Sequence, residues 1–222
     1  MMKDLISNVG IVIKDKNIQE LATENTVNFV YGLLTGDKTV IPSIIKNTSE
    51  LVYSVPNIIF CDKMYSFLTK AFSDYEMQVK FAARFEKDNA RYNETVKKIV
   101  QIVEKIDFDE KIDWFANLTR SVCLELIDIE AYLHYSTAIT MLSVDELKNL
   151  KTIYGQTELP ETPTLSNYFT YSLTERIFRV KYGVMIPQYT ISKQGIELIK
   201  YGIEFDNSSK YILPETKDGD KE

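Results

Sequence analysis

Residues 189–201 read YTISKQGIELIKY, and they decide how the C-terminal part of this 222-residue chain should fold. Tyr189 and Ile191 flank Thr190 in the alternation that is typical of a half-buried strand. Ser192 stands where a helix N-cap is expected, and apolar residues recur beyond it at the spacing of an amphipathic helix. The stretch therefore predicts a short strand that runs directly into a serine-capped helix.

The chain before this stretch has the apolar spacing of helices. Segments with this spacing are predicted to begin near Asn17, Pro42, Asn57, Tyr75, Ile112 and Leu126. Ser143–Glu146 reads SVDE, a capping-box pattern, so a further short helix is predicted from Val144 to Tyr154, ending at Gly155. We therefore predict a helical bundle over residues 1–155.

A segment without apolar periodicity follows the predicted bundle. Residues 156–164 include Pro160 and Pro163 and are predicted to be a linker. We predict a small unit with a short β-hairpin over residues 165–205, and a polar tail over residues 206–222. Within the small unit, spacing alone leaves open whether residues 176–182 extend a helix or form a strand.

Charge is distributed unevenly along the chain. The net charge is −6, but residues 104–148 contain ten acidic and four basic side chains, whereas residues 163–203 contain two acidic and five basic ones. The acidic part includes a cluster beside a predicted helix start, where negative charge complements the helix dipole. This acidic cluster consists of Asp107, Asp109, Glu110 and Asp113. Only the basic segment has the sign of charge that suits phosphate, so the acidic cluster does not suit nucleic acid. We predict that the acidic cluster binds a protein partner.

No motif in the sequence indicates catalysis or a bound cofactor. The single histidine, His134, follows Glu130 by one helical turn, which offers at most two metal ligands, so an ordinary helix position is the better interpretation. Cys61 and Cys123 lack metal-binding or redox spacing, which fits buried thiols in a reducing cytoplasm. Because phosphate-binding and dinucleotide loops are also missing, we predict a non-enzymatic protein without metal or cofactor.

Nothing in the sequence indicates a membrane protein. No apolar run approaches the roughly 18 residues that a membrane span requires. The first residues also lack the apolar core of a signal peptide. We therefore expect a soluble, cytoplasmic protein that does not insert into a membrane.

The segment from Tyr189 to Leu198 resembles the wing-to-helix signature of winged-helix regulators. That signature consists of a tyrosine, a leucine-threonine pair, a glycine and a leucine at fixed spacing. Ser192 stands for the threonine, and Gly195 for the glycine. The resemblance covers about forty residues and implies a winged-helix-like unit that contacts duplex DNA. The basic residues that then offer phosphate contacts are Arg176, Arg179, Lys181, Lys193 and Lys200.

The order of segments resembles a group of helical proteins from bacterial prophages and other mobile elements, some of them encoded near abortive-infection genes. The residues that carry this resemblance are Val55–Lys63 leading into Phe67 and Leu68, Asp109–Ile112 leading into Leu118, and Ser143–Leu147. It spans roughly residues 40–203. The resemblance implies a cytoplasmic interaction protein in phage–host conflict and transfers no active site.

The sequence as a whole predicts a mainly α fold, with a helical bundle followed by a small winged-helix-like unit that contains a short β-hairpin. The first functional hypothesis is a non-enzymatic protein-interaction module of a mobile element or phage-defence system. The alternative is a winged-helix DNA-binding transcriptional regulator that forms a homodimer through its bundle. The two hypotheses differ in whether the acidic cluster or the basic C-terminal residues make the functional contact.

Overall fold

The computed structural model describes residues 63–64, 66–72, 75–84 and 89–213, except Tyr182. The helices predicted to begin near Asn17 and Pro42 lie outside these described residues. The described part is mainly helical and has a three-stranded antiparallel sheet near its C-terminal end, which confirms the predicted fold class. Within it, no helix is long and apolar enough to cross a membrane.

Helices come first along the described chain, and the strands follow near its end. The helices are α1 (Tyr75–Ala83), α2 (Asn89–Lys105), α3 (Asp109–Cys123), α4 (Ile129–Met141), α5 (Val144–Leu150), α6 (Pro163–Thr170) and α7 (Lys193–Leu198). The strands are β1 (Leu159–Pro160), β2 (Thr174–Lys181) and β3 (Val184–Ile191). Short 3-10 or π turns cover Lys151–Ile153, Ile199–Ile203 and Phe205–Lys210. The chain divides into two compact units, Met1–Tyr132 and Leu133–Glu222.

Aromatic side chains build the core of the first unit. Phe115 of α3 stacks on Phe67 and on Tyr132, with ring centroids 4.6 and 5.7 Å apart. Phe81 of α1 packs edge-on against Tyr132 at 6.4 Å. The buried Tyr132 hydroxyl lies 3.1 Å from the hydroxyl of Thr119, and burial raises the pKa of Tyr132 far above its usual range. The apolar spacing that predicted α3 thus places one side of the helix against an aromatic core.

The predicted capping box is present at the start of α5. The Ser143 hydroxyl accepts a hydrogen bond from the backbone N–H of Glu146 at 3.1 Å, and the Glu146 carboxylate accepts one from the N–H of Ser143 at 2.9 Å. The α-helix ends at Leu150, earlier than the predicted Tyr154, because the last turn tightens into a 3-10 helix. Gly155 follows with a φ of 76°, which a glycine adopts without strain.

The sheet has β3 at its centre, in the order β1-β3-β2, and both neighbours run antiparallel to it. β1 contributes only two pairs, Leu159 with Tyr189 and Pro160 with Gln188. β2 pairs with β3 along its full length. The segment 176–182, which spacing left open, therefore belongs to a strand through residue 181, because it pairs with β3 across a two-residue turn.

The predicted junction between strand and helix is confirmed within residues 189–201. β3 ends at Ile191, and Ser192 caps α7 by accepting a hydrogen bond from the N–H of Gly195 at 2.9 Å. A Cβ at Gly195 would lie 2.2 Å from the carbonyl oxygen of Leu173, so only glycine fits here. This glycine lets α7 approach the backbone that leads into β2.

The second unit includes α5, which the sequence assigned to the helical bundle. The Lys151 ammonium, just after α5, lies 2.8 Å from the Glu204 carboxylate, and the rings of Tyr154 and Tyr211 pack edge-on at 5.0 Å. The predicted linker 156–164 contains β1 and the first residues of α6. The boundary between the two compact units falls within α4, after Tyr132.

Candidate interaction surface on the C-terminal hairpin

β2 and β3 form a hairpin whose outer end carries apolar side chains on both faces, and on one of these faces they lie opposite Arg179 and Lys181. Residues directly opposite each other in an antiparallel pair share a face, and successive residues of one strand alternate between faces. Met185 lies opposite Val180, so these two share a face with Phe178. Val184 and Ile186 lie on the other face by the same alternation. We refer to these five residues as the hairpin patch.

The hairpin patch is strongly exposed. The exposed fraction is 71% for Val180, 67% for Met185, 61% for Val184 and 53% for Phe178. Single exposed apolar residues are ordinary, but Phe178, Val180 and Met185 lie together on one face of the hairpin. Such a surface marks an interaction site when it lies on a folded, anchored element.

Aromatic and cationic contacts anchor the inner end of the hairpin. Phe169 of α6 packs edge-on against the buried Tyr189 of β3, with ring centroids 6.1 Å apart. The Arg176 guanidinium lies 5.0 Å from the ring centre of Phe169 and 5.5 Å from that of Phe178. The Tyr189 hydroxyl donates a hydrogen bond to Glu161 at 3.1 Å. These contacts fix the hairpin to α6 and hold Phe178 in place.

The two arginines predicted to contact phosphate lie on different faces of β2. Arg176 and Arg179 are three positions apart, and an odd separation in a strand places side chains on opposite faces. Arg176 contacts two phenyl rings, and the Arg179 guanidinium lies 2.5 Å from the Glu158 carboxylate. Helix α6, which precedes the hairpin and reads PTLSNYFT, contains neither lysine nor arginine. Both guanidinium groups thus have partners within the protein.

The three predicted lysines are placed on β2 and on the helical segment after β3. Lys193 lies 3.8 Å from the carboxylate of Glu197, one turn along α7. Lys200 lies 5.5 Å from the ring centre of Tyr201. Lys181 is the last residue of β2, and its side chain is outside the described part of the structure. The described basic side chains therefore lie on two separate elements.

The single histidine has a local structural contact. The Nε2 atom of His134 lies 2.9 Å from the carbonyl oxygen of Tyr171, and its ring packs edge-on against Tyr135 at 5.7 Å. Glu130 is exposed one turn earlier on α4. Among the described residues, no three histidine, cysteine, aspartate or glutamate side chains come together as metal ligands. Cys123 is buried in the first unit, and Cys61 lies outside the described residues.

Neighbouring lysines engage part of the acidic cluster. Asp107 lies 2.9 Å from the ammonium of Lys111, and this hydrogen bond lowers the pKa of Asp107 below its usual range. Asp113 forms an ion pair with Lys70. The other two acids of the cluster occupy exposed positions in the first turn of α3, where they complement the helix dipole.

Sequence reasoning missed the hairpin patch, although a signal for it exists. Val184–Ile186 is an unbroken apolar run inside β3, so consecutive side chains on both faces are apolar. A short apolar run also occurs in strands that are buried on both faces, so periodicity does not show whether the run is buried or exposed. Whether such a run is exposed depends on what packs against the faces of the sheet, which the local sequence does not show.

Comparison with known proteins gives no indication of a function for the candidate surface. No family model matches the chain, and no curated protein or solved structure matches it either. The hairpin patch, its anchor on α6 and the engaged arginines are therefore the observations on which a function is inferred.

Proposed function

We propose that this protein is a non-enzymatic protein-interaction module and that the hairpin patch is its contact surface. The observation that carries the proposal is the exposure of Val180, Val184 and Met185 on the two faces of one anchored hairpin. Fully burying an apolar side chain of this size contributes about 1.5–3 kcal/mol. Burial of several of them offsets much of the cost of ordering two proteins in a complex.

The hairpin patch supports partner binding better than the acidic cluster does. Binding energy in protein interfaces concentrates in a few well-packed anchors, a role in which we place the aromatic Phe178, and exposed ion pairs contribute little. Asp107 and Asp113 are already paired with lysines of the same unit. The acidic cluster is therefore proposed to steer association, a role in which charge changes the on-rate more than the affinity.

The biological setting that we propose is a mobile element or a phage-defence system in the bacterial cytoplasm. This part of the proposal is supported only by the resemblance of segment order over residues 40–203. The hairpin patch itself fits any system in which a small cytoplasmic protein must recognise another protein through an apolar surface.

Two exposed methionines of the second unit provide a matched test of the proposal. Met185 belongs to the hairpin patch and is 67% exposed, whereas Met141 ends α4 and is 62% exposed. We expect the tagged protein with Met185→Lys to lose a partner that co-purifies stoichiometrically from the bacterial host, because a buried lysine charge opposes association. The Met141→Lys variant should retain it. Equal recovery of the partner with both variants would show that the hairpin is not the contact surface.

A winged-helix DNA-binding regulator is the second candidate. The order α6, β2, β3 and α7, with Gly195 at the close approach of α7, favours it. This support is a likeness of fold, and the engagement of Arg176 and Arg179 within the protein counts against it. Fold likeness alone is weaker support than a surface whose chemistry is exposed.

The DNA-binding candidate makes a separate prediction about salt. If Arg176 and Arg179 contact phosphates, Arg176→Ala and Arg179→Ala should each reduce the slope of log K against log salt for duplex DNA by about 0.9. A fluorescence anisotropy titration with a random duplex, repeated at several salt concentrations, measures this slope. No binding at low ionic strength would remove the candidate.

A further inference from the structure

β2 has a free outer edge. It is the terminal strand of the sheet, so alternate backbone N–H and C=O groups along its eight residues have no strand partner within the described residues. The opposite edge of the sheet, beyond the two residue pairs of β1, carries Pro187, which has no N–H to donate. β2 is therefore the edge that suits the addition of another strand.

We propose that the partner of the hairpin is a second copy of this chain, whose β2 pairs antiparallel with β2 of the first about a two-fold axis at Ile177. The inference rests on the proposed function, in that the hairpin region is the contact surface, and it names the partner. Residues 175–179 of each copy form the pairing. A two-fold interface of this kind uses the same surface on both copies and closes as a dimer.

Charge complementarity selects this register. With the axis at Ile177, Glu175 of each copy lies opposite the partner subunit's Arg179, which makes two opposite-charge pairs. Arg176 then lies opposite the partner subunit's Phe178, a pairing of cation and ring that the protein already makes within one chain at 5.5 Å. Both pairs connect residues on the same face, as strand pairing requires.

The neighbouring registers lose these pairs. Moving the axis to Arg176 places that arginine opposite its own copy, and like charges directly opposite each other are destabilising. Moving it to Phe178 places Arg179 opposite Ile177, so the arginine loses its carboxylate, while Glu175 then lies opposite the partner subunit's Lys181 at the end of the strand. Charges on an edge strand usually discourage pairing, and here the register at Ile177 is the one that gives both arginines a complementary residue opposite them.

The existing partner of Arg179 does not prevent the exchange. The side chains of Arg179 and Glu158 are 59% and 47% exposed, and exposed ion pairs contribute little stability. Replacing Glu158 by the partner subunit's Glu175 keeps one carboxylate beside the guanidinium. Strand pairing then adds backbone hydrogen bonds that the free edge lacks.

Charge reversal in the full-length chain tests the register. Glu175→Arg alone, or Arg179→Glu alone, places like charges opposite each other at two symmetry-related positions, whereas the double variant restores opposite charges. We expect sedimentation equilibrium to give twice the monomer mass of 25.7 kDa for the wild type. Each single variant should raise the dissociation constant roughly tenfold or more, and the double variant should return it to within about threefold of the wild type. Circular dichroism checks that all variants are folded.

Disulfide trapping at the axis is the second measurement. In a Cys61→Ser/Cys123→Ala background, Ile177→Cys should give a covalent dimer on mild oxidation, because its two copies lie directly opposite each other. Met141→Cys on α4 is the control and should cross-link far less.

Three results would overturn the second-copy proposal. They are a wild type that stays monomeric up to about 100 μM, a dimer that single charge reversals leave unchanged, and a dimer that the double variant does not restore. A monomer that still binds a Met185→Lys-sensitive partner would overturn this inference and leave the proposed function standing. Absence of both the dimer and a Met185→Lys-sensitive partner would overturn this inference and the proposed function together.

Discussion

At the residue scale, the protein uses serine as a helix N-cap in two different environments. Ser143 is exposed and caps α5 within a capping box. Ser192 is buried, accepts from the N–H of Gly195 and donates to the carbonyl oxygen of Ser172. The Ser192 hydroxyl therefore satisfies the hydrogen bonds of two backbone groups that water does not reach. At the exposed Ser143, water can take the place of the capping hydroxyl.

This difference predicts unequal costs for the same substitution. Ser192→Ala should lower the free energy of unfolding by about 1–3 kcal/mol, and Ser143→Ala by about 0.5–1 kcal/mol. Urea unfolding followed by circular dichroism measures both values. Ser143→Thr is the control, since threonine keeps the capping oxygen. Equal losses at the two serines would mean that burial of the Ser192 cap contributes nothing.

Local sequence predicted the two caps but not the partners of the arginines. Capping depends on residues within four positions of the helix start, so Ser143 and Ser192 could be identified from the sequence. Arg179 pairs with Glu158, which lies 21 positions earlier in the sequence, directly before β1. Only folding brings the two side chains together. The same limit applies to Arg176 and the ring of Phe169.

At the element scale, the hairpin shows which structural features can be predicted from apolar spacing and which cannot. The strand β3 and its junction with α7 could be predicted, because an alternating stretch and a serine cap are both local signals. β2 could not be assigned, because its pairing partner decides between strand and helix. The exposure of the hairpin patch could not be predicted either, since it depends on what packs against the two faces of the hairpin.

The ion pair between Lys151 and Glu204 joins the turn after α5 to the segment after α7. The hydrogen bond from Lys151 lowers the pKa of Glu204 below the ordinary value of 4.5, and the same bond raises the pKa of Lys151. A lowered carboxyl pKa stabilises the fold at pH values above its ordinary pKa. This contribution is lost as the pH falls through the lowered pKa of Glu204.

The pH dependence of stability tests this ion pair. The difference in unfolding free energy between the wild type and Glu204→Gln should be largest above about pH 5 and should shrink towards about pH 3. Urea titrations at several pH values measure the difference. Asp206→Asn changes an exposed acid two positions away and is the control. A difference that does not vary with pH would show that the carboxylate charge is not involved.

At the scale of the whole molecule, the two compact units differ in what they supply. The first unit is helical around stacked aromatic rings such as Phe115 and Tyr132, and its described surface includes the acidic cluster. The second unit carries the sheet and the hairpin patch. The sequence predicted a helical part followed by a small unit with a hairpin. The boundary between the compact units, after Tyr132, reflects contacts between distant residues, which local composition does not show.

The central claim is that the hairpin patch is the surface through which this protein binds another protein chain. The most direct measurement places a photo-crosslinking amino acid at Met185 or at Met141 and irradiates the protein in living bacterial cells. We predict a discrete cross-linked product from position 185, whether the partner is a second copy or another protein, and little or none from position 141. Equal products from both positions, or none from position 185, would contradict the claim.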